Sequence, residues 1–249
     1  MGRAPKWDAV TSSATPPAWS HKVTWERGDI LRPATYAPLL KGANFVVHSM
    51  GILLEADYKG VLRGQESLIS GLRKAFTAAP QPGNPLERRV TGADGDIRPP
   101  ETREQLTYEN MNRDSAIMLA KEAAQENAAA FVYISPPAER PCYRLEAEST
   151  IAREFPGMRN IFIRPPFLYD SSRPITMPMA AMTGVGAAFN GITGGIFSNI
   201  MGAAGVKPLK VDVVAEAVVQ ALHDEAVKGP VEVPEIEKLA EKAWRSTML

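Results

Sequence analysis

Ala130-Phe131-Val132-Tyr133-Ile134-Ser135, stopped at once by Pro136-Pro137, constrains the fold of this chain more than any other run. It is too short and too rich in β-branched and aromatic residues for a helix, and paired prolines cannot extend a sheet ladder. Phe45-Val46-Val47-His48 is a second compact apolar run, of the kind expected for a strand buried on both faces. A third β run spans Asn160 to Arg164 and is closed by Pro165-Pro166; a shorter one, Val23-Thr24-Trp25, ends at Gly28-Asp29. Between them lie helical patterns. Pro33 to Leu40 is a short helix with proline in its first turn, and Ala56 to Ala78 is mostly helical. Tyr108 to Asn127 carries Met111, Ser115, Met118, Leu119 and Glu122 at helical spacing. Glu146 to Phe155 follows, and after Asp212, a fitting N-cap, comes a helix with a face of Val214, Val218, Val219 and Leu222. Strands alternating with helices in this way predict an α/β fold, a parallel sheet with helices on both faces.

Composition removes several classes of function. The 28 basic and 28 acidic residues cancel, so no basic face marks a nucleic-acid partner. Cys142 is the single cysteine, which excludes an internal disulfide and a cysteine-rich zinc site. His21, His48 and His223 show no metal-ligand spacing. Met1-Gly2 lacks the Ser or Thr that myristoylation wants, since Lys6 stands there. Residues 1–22 read as a flexible lead-in whose composition is also compatible with a transit peptide. The segment from Pro80 to Gln105 mixes Pro, Gly and charge without periodicity and is expected to be a mobile insertion.

Several blocks together carry a family resemblance. They are Trp25…Gly28-Asp29-Ile30, Val46-Val47-His48-Ser49-Met50-Gly51-Ile52-Leu53-Leu54-Glu55, and Tyr108-Glu109-Asn110-Met111-Asn112-Arg113-Asp114-Ser115. Val132-Tyr133-Ile134-Ser135, Ile163-Arg164-Pro165-Pro166-Phe167 and the closing Glu232-Val233-Pro234-Glu235-Ile236 extend it. From about residue 23 onward the chain resembles the atypical short-chain dehydrogenase/reductase-like, NAD(P)-binding proteins of fungal mitochondria associated with coenzyme Q biosynthesis. The nucleotide-binding accessory subunit of respiratory complex I is a cousin of similar fold. The resemblance implies a Rossmann-like sheet, here lacking its first β-α-β unit: residues 23–170 would be the incomplete nucleotide-binding domain and residues 171–249 a substrate or lid region. In the usual strand order the missing pieces include the central strand, leaving a gap of about 14 Å at the usual strand spacing, or a direct pairing in a new register.

The resemblance also implies site residues. Asp29 would contact adenine, and the His48-Ser49-Met50-Gly51 turn would line the nicotinamide ribose of NAD or NADP, although a lone histidine is more often a satisfied core residue than a catalyst. Arg164 belongs to the Arg-Pro pair shared by the superfamily at the cofactor. Asn112 matches the asparagine that organises an active-site water, and Ser135 matches the serine that orients a substrate carbonyl or, read plainly, a strand-end cap. Tyr143 is the tyrosine available for the Tyr-x-x-x-Lys pair, but Ala147 stands where lysine should be; the other alignment puts Arg144 at the lysine and Arg140 at the tyrosine. An arginine cannot give or take the proton, so hydride transfer is weakened as an expectation.

The uncharged stretch Pro174 to Val206 reads as a lid over a hydrophobic, quinone-like substrate in preference to a membrane span. The family likeness then implies an oxidoreductase-like protein of ubiquinone biosynthesis on the matrix side of the mitochondrial inner membrane. Its partners would be the coenzyme Q biosynthetic complex or inner-membrane proteins. The alternative is a non-catalytic accessory or assembly protein that uses the degenerate fold as a binding module.

Overall fold

A computed structural model of the chain describes residues 15–51, 109–135, 141–170 and 207–248. The fold is α/β, with a parallel sheet of four strands flanked by helices. The helical pattern at 56–78, the insertion at 80–105 and the uncharged stretch at 174–206 lie outside the described residues. The chain divides into two compact units, residues 29–136 with 140–158 and residues 1–28 with 137–139 and 159–249.

In the first unit two short 3-10 turns, Pro33–Thr35 and Ala37–Leu40, stand where one helix is expected. They lead to strand β1, Phe45–His48, which pairs in parallel with β2, Ala130–Ile134, in the register Phe45 to Ala130 and His48 to Tyr133. Between them come a π-helical turn, Glu109–Asp114, and helix α1, Ser115–Gln125. Helix α2 is Pro141–Glu154. It starts five residues before the expected Glu146, because proline in a first turn loses no helical hydrogen bond. Leu31, Met111 and Met118 form a buried cluster with Ile30 packed against it. Helix α1 ends in a Schellman motif: Ala128 N–H reaches the Ala123 carbonyl, Asn127 N–H reaches that of Ala124, and Asn127 takes the left-handed conformation at φ 58°.

Two expectations about strands need correction. Phe45-Val46-Val47-His48 is buried on one face only: Val46 and His48 are inside, whereas Phe45 and Val47 are about two-fifths exposed. Residues 23–25 form no strand. The Trp25 indole N–H donates to the Ser20 carbonyl and its ring lies 6.4 Å from that of Trp19, so local turn contacts hold the segment in place of a ladder.

In the second unit β3, Arg159–Ile163, pairs in parallel with β6, Gly229–Val231. A separate two-stranded ladder joins β4, Leu168–Tyr169, to β5, Leu209–Lys210. Helix α3, Val211–His223, buries Val214, Ala217, Val218 and Ala221. Val219, expected on that face, is 53% exposed, because it falls one step round the helix from Val218 onto the outer side. The closing helix α4, Val233–Thr247, was not foreseen; Pro234 in its first turn and Ile236, Leu239, Ala240 and Ala243 at helical spacing are the signal that marks it.

One side chain closes the end of α3. Arg159, on β3, donates through Nη1 to the carbonyls of Ala221, Asp224 and Val227 and through Nη2 to that of Leu222. These include helix-end carbonyls that no backbone N–H of the helix can reach, and the charge opposes the negative end of the helix dipole. Arg159→Met, which keeps the aliphatic stem, is expected to cost roughly 2 kcal/mol, about 4–8 °C in Tm. A variant melting with the wild type in a thermal scan would show that the clamp carries no stability.

Candidate functional site

The site builds up at the carboxyl ends of β1 and β2. His48 sits directly opposite Tyr133, and their rings meet edge-on with centroids 5.4 Å apart. Tyr133 donates its hydroxyl to the backbone carbonyl of Asn112, and the Ser115 hydroxyl donates to that of Met111 at 2.7 Å. Two carbonyls of the π-helical turn are thus held by side chains, and turns of this kind recur at functional positions. His48 Nε2 lies 2.8 Å from Ser115 Oγ. Since that hydroxyl has one proton and gives it to Met111, the imidazole is the donor, which assigns the Nε2–H tautomer and leaves Nδ1 as an acceptor. Burial holds the His48 pKa down to about 4 from its ordinary 6.5, so the ring is neutral at physiological pH.

Asn112 is drawn against the turn after β1. A Cβ on Gly51 would stand 2.5 Å from Asn112 Oδ1 and 3.6 Å from its Cγ, so only glycine admits this approach. Beside it the turn buries three charged groups, Glu109, Arg113 and Asp114. Arg113 is fully buried, donating from Nε to Asp114 Oδ1 at 2.7 Å and from Nη1 to Glu146 Oε2 at 2.9 Å. Burial works against its charge, but the bonds and charges of Asp114 and Glu146 outweigh that and raise its pKa. Its guanidinium lies 5.6 Å from the centroid of the Tyr143 ring.

Seven of the eight expected site residues therefore fall in one unit, and three of them, His48, Gly51 and Asn112, converge around the π-helical turn. Ser49 is exposed in the same turn as Gly51. Ser135, just past β2, is fully buried, and its Oγ has no hydrogen-bond partner among the described residues; His48 Nδ1 and Arg144 Nε share that condition. Buried polar atoms left in this state call for a water or a ligand group. Tyr143 is buried on α2 and backed by Arg113. Asp29 serves its own turn: its carboxylate accepts from Leu31 N–H at 3.1 Å and lies 3.6 Å from Arg32. Arg164 belongs to the other unit, where it pairs with Glu232 at 2.6 Å. Arg113, Ser115, Tyr133 and Glu146 were not singled out for a role. For Arg113 and Ser115 the signal is a polar triplet, Arg113-Asp114-Ser115, set inside an apolar helical stripe; Tyr133 and Glu146 have no such local mark. Among the described residues no group of His, Cys, Asp or Glu is arranged to hold a metal, and no helix is long and apolar enough to cross a membrane.

Two measurements test this geometry. Gly51→Ala should lose about 1–3 kcal/mol of stability through overpacking, and most of that loss should vanish in an Asn112→Ala background, where the clashing carboxamide is gone. Additive effects in the double-mutant cycle would refute the contact. The buried imidazole makes a second expectation. Between pH 6.5 and about 4 the unfolded state binds the proton that folded His48 refuses, so its stabilising share is complete above pH 6.5 and fades as the pH falls through that window. Urea melts at pH 7 and pH 5 should differ by roughly 2 kcal/mol more in the wild type than in His48→Gln. Equal pH dependence of the two proteins would contradict a buried neutral histidine.

No family model matches the chain. It is 33% identical over 176 residues to MIOREX complex component 2 of Saccharomyces cerevisiae (strain ATCC 204508 / S288c), a match covering 62% of this chain and 58% of that protein. The chain thus matches less than two thirds of its relative's length. This relative overturns the expectation of a role in ubiquinone biosynthesis, and with it the coenzyme Q complex, other inner-membrane proteins and a quinone-like substrate as partners. The blocks behind that expectation encode strand ends and turns of an α/β fold, which many functions share. The relative supports a mitochondrial location.

Proposed function

We propose that this protein is a non-catalytic accessory component of a mitochondrial assembly, of the kind its yeast relative's name describes, with the β1–β2 unit serving as a binding module. The observation that carries the reading is the 33% identity to MIOREX complex component 2. The chemistry of the site agrees with it. Tyr143, the one tyrosine placed for a proton-transfer role, is buried against Arg113, and Ala147 stands where its lysine partner is needed. Neither Arg140 nor Arg144 can stand in for a proton carrier. In this reading the chain works on the matrix side of the inner membrane.

A tagged chromosomal copy, followed through a density gradient of detergent-solubilised mitochondria, is expected to co-sediment with components of the MIOREX complex. A protein that sediments alone, at the size of a single chain or small oligomer, overturns the proposal.

A retained nucleotide, NAD or NADP, is the ligand that the binding module favours on the grounds of the buried Ser135 hydroxyl and His48 Nδ1, both polar and both without partners among the described residues. A coenzyme seated there would be held by these two groups with Gly51 and Asn112 at its edge, and its redox chemistry would belong to the coenzyme alone. Fluorescence titration of the purified chain with NADH and NADPH reads this directly. Saturable binding that Ser135→Ala weakens supports it, and the absence of binding removes the nucleotide while leaving the assembly role to the gradient.

A further inference from the structure

The second unit carries a feature that neither the family resemblance nor the yeast relative accounts for. An open groove of about 400 Å³ lies between α3, α4 and the β4–β5 ladder, within the range of about 300–1,000 Å³ typical of ligand pockets. Its apolar floor includes Leu209, Val213 and Ala240, and Tyr169 and Trp244 supply aromatic surface. Trp244 is 52% exposed on α4, a large apolar surface to leave in water.

The charges around the groove are unevenly spent. Glu237 is held by Lys207 at 3.4 Å, and Glu241 by Arg245. Glu216 on α3 and Lys210 at the end of β5 also line the groove, and among the described residues neither has an ion-pair partner. A groove that offers aromatic faces and one unspent carboxylate matches a guanidinium better than an ammonium. The planar, weakly hydrated guanidinium stacks on aromatic rings while its fork pairs with a carboxylate. Lys210 adds a place for an acidic group beside it.

We propose that this groove docks an arginine side chain of a partner protein, stacked against the Trp244 and Tyr169 surface and paired with Glu216, with Lys210 meeting an acidic residue of the same segment. Tryptophan, tyrosine and arginine are the residues that most often concentrate binding energy at protein interfaces, so the groove would be an anchor point within a larger contact. The inference rests on the groove alone and gives the accessory role a contact surface without depending on it.

The test uses the full chain and N-acetyl-arginine amide as the probe, with the lysine and leucine analogues alongside. The Trp244 indole N–H resonance, identified by its loss in Trp244→Phe, reports occupancy. The arginine probe should shift it saturably in the millimolar range, and Glu216→Gln, an exposed change on a helix surface, should weaken binding fivefold or more. The lysine analogue should bind more weakly and the leucine analogue should not bind. No saturable shift, unchanged affinity in Glu216→Gln, or equal binding of the lysine analogue overturns the proposal. Because the measurement needs no other component of the assembly, its failure is separate from failure of the gradient experiment.

Discussion

Arg113 is the constraint around which the first unit is organised. A guanidinium with no exposure is tolerated only where its charge is answered, since removing one partner of such a pair typically costs about 3–5 kcal/mol. Asp114 answers it from the adjoining position and Glu146 from α2, so the π-helical turn and α2 must keep one relative placement. That placement sets where Tyr143 lies and where the carbonyls of Met111 and Asn112 face. Through Ser115 and Tyr133 the same turn is tied to the ends of β1 and β2. Burying a paired charge here contributes geometry more than stability, because an apolar replacement of equal volume is often as stable.

Such an arrangement is suited to holding a ligand or a partner surface in a fixed pose. Among the described residues the basic group at the Tyr143 ring is the Arg113 guanidinium, which cannot give or take a proton. Fold and chemistry are separable, so a shared sheet and its strand-end turns do not fix a reaction.

The sequence makes the fold legible where short-range rules dominate. Runs such as Ala130–Ile134 and Ile161-Phe162-Ile163 are recognised because both are short, apolar and followed closely by prolines. Helix α1 and the π-helical turn before it are recognised by a stripe of Met111, Met118 and Leu119, all buried. Errors arise where tertiary or side-chain contacts decide. Whether Phe45 and Val47 are covered depends on what packs above β1, which no local pattern records. Val23–Trp25 has strand-forming residues, yet an indole hydrogen bond to Ser20 and a neighbouring tryptophan claim it. At the site, His48, Gly51 and Asn112 could be nominated by resemblance, but Arg113 could not, because its importance comes from Glu146, 33 residues away. The pathway was the least legible of all, since turn geometry encodes a fold and not the company a protein keeps.

The Arg159 clamp joins four carbonyls at or just beyond the end of α3 to one side chain on β3. Its partners span the last turn of the helix and the loop through Val227, so none of these amides can open to solvent without strain on the others. The 221–227 region and the start of β3 should therefore open as one element, with deuterium uptake in both rising together when the native ensemble is loosened.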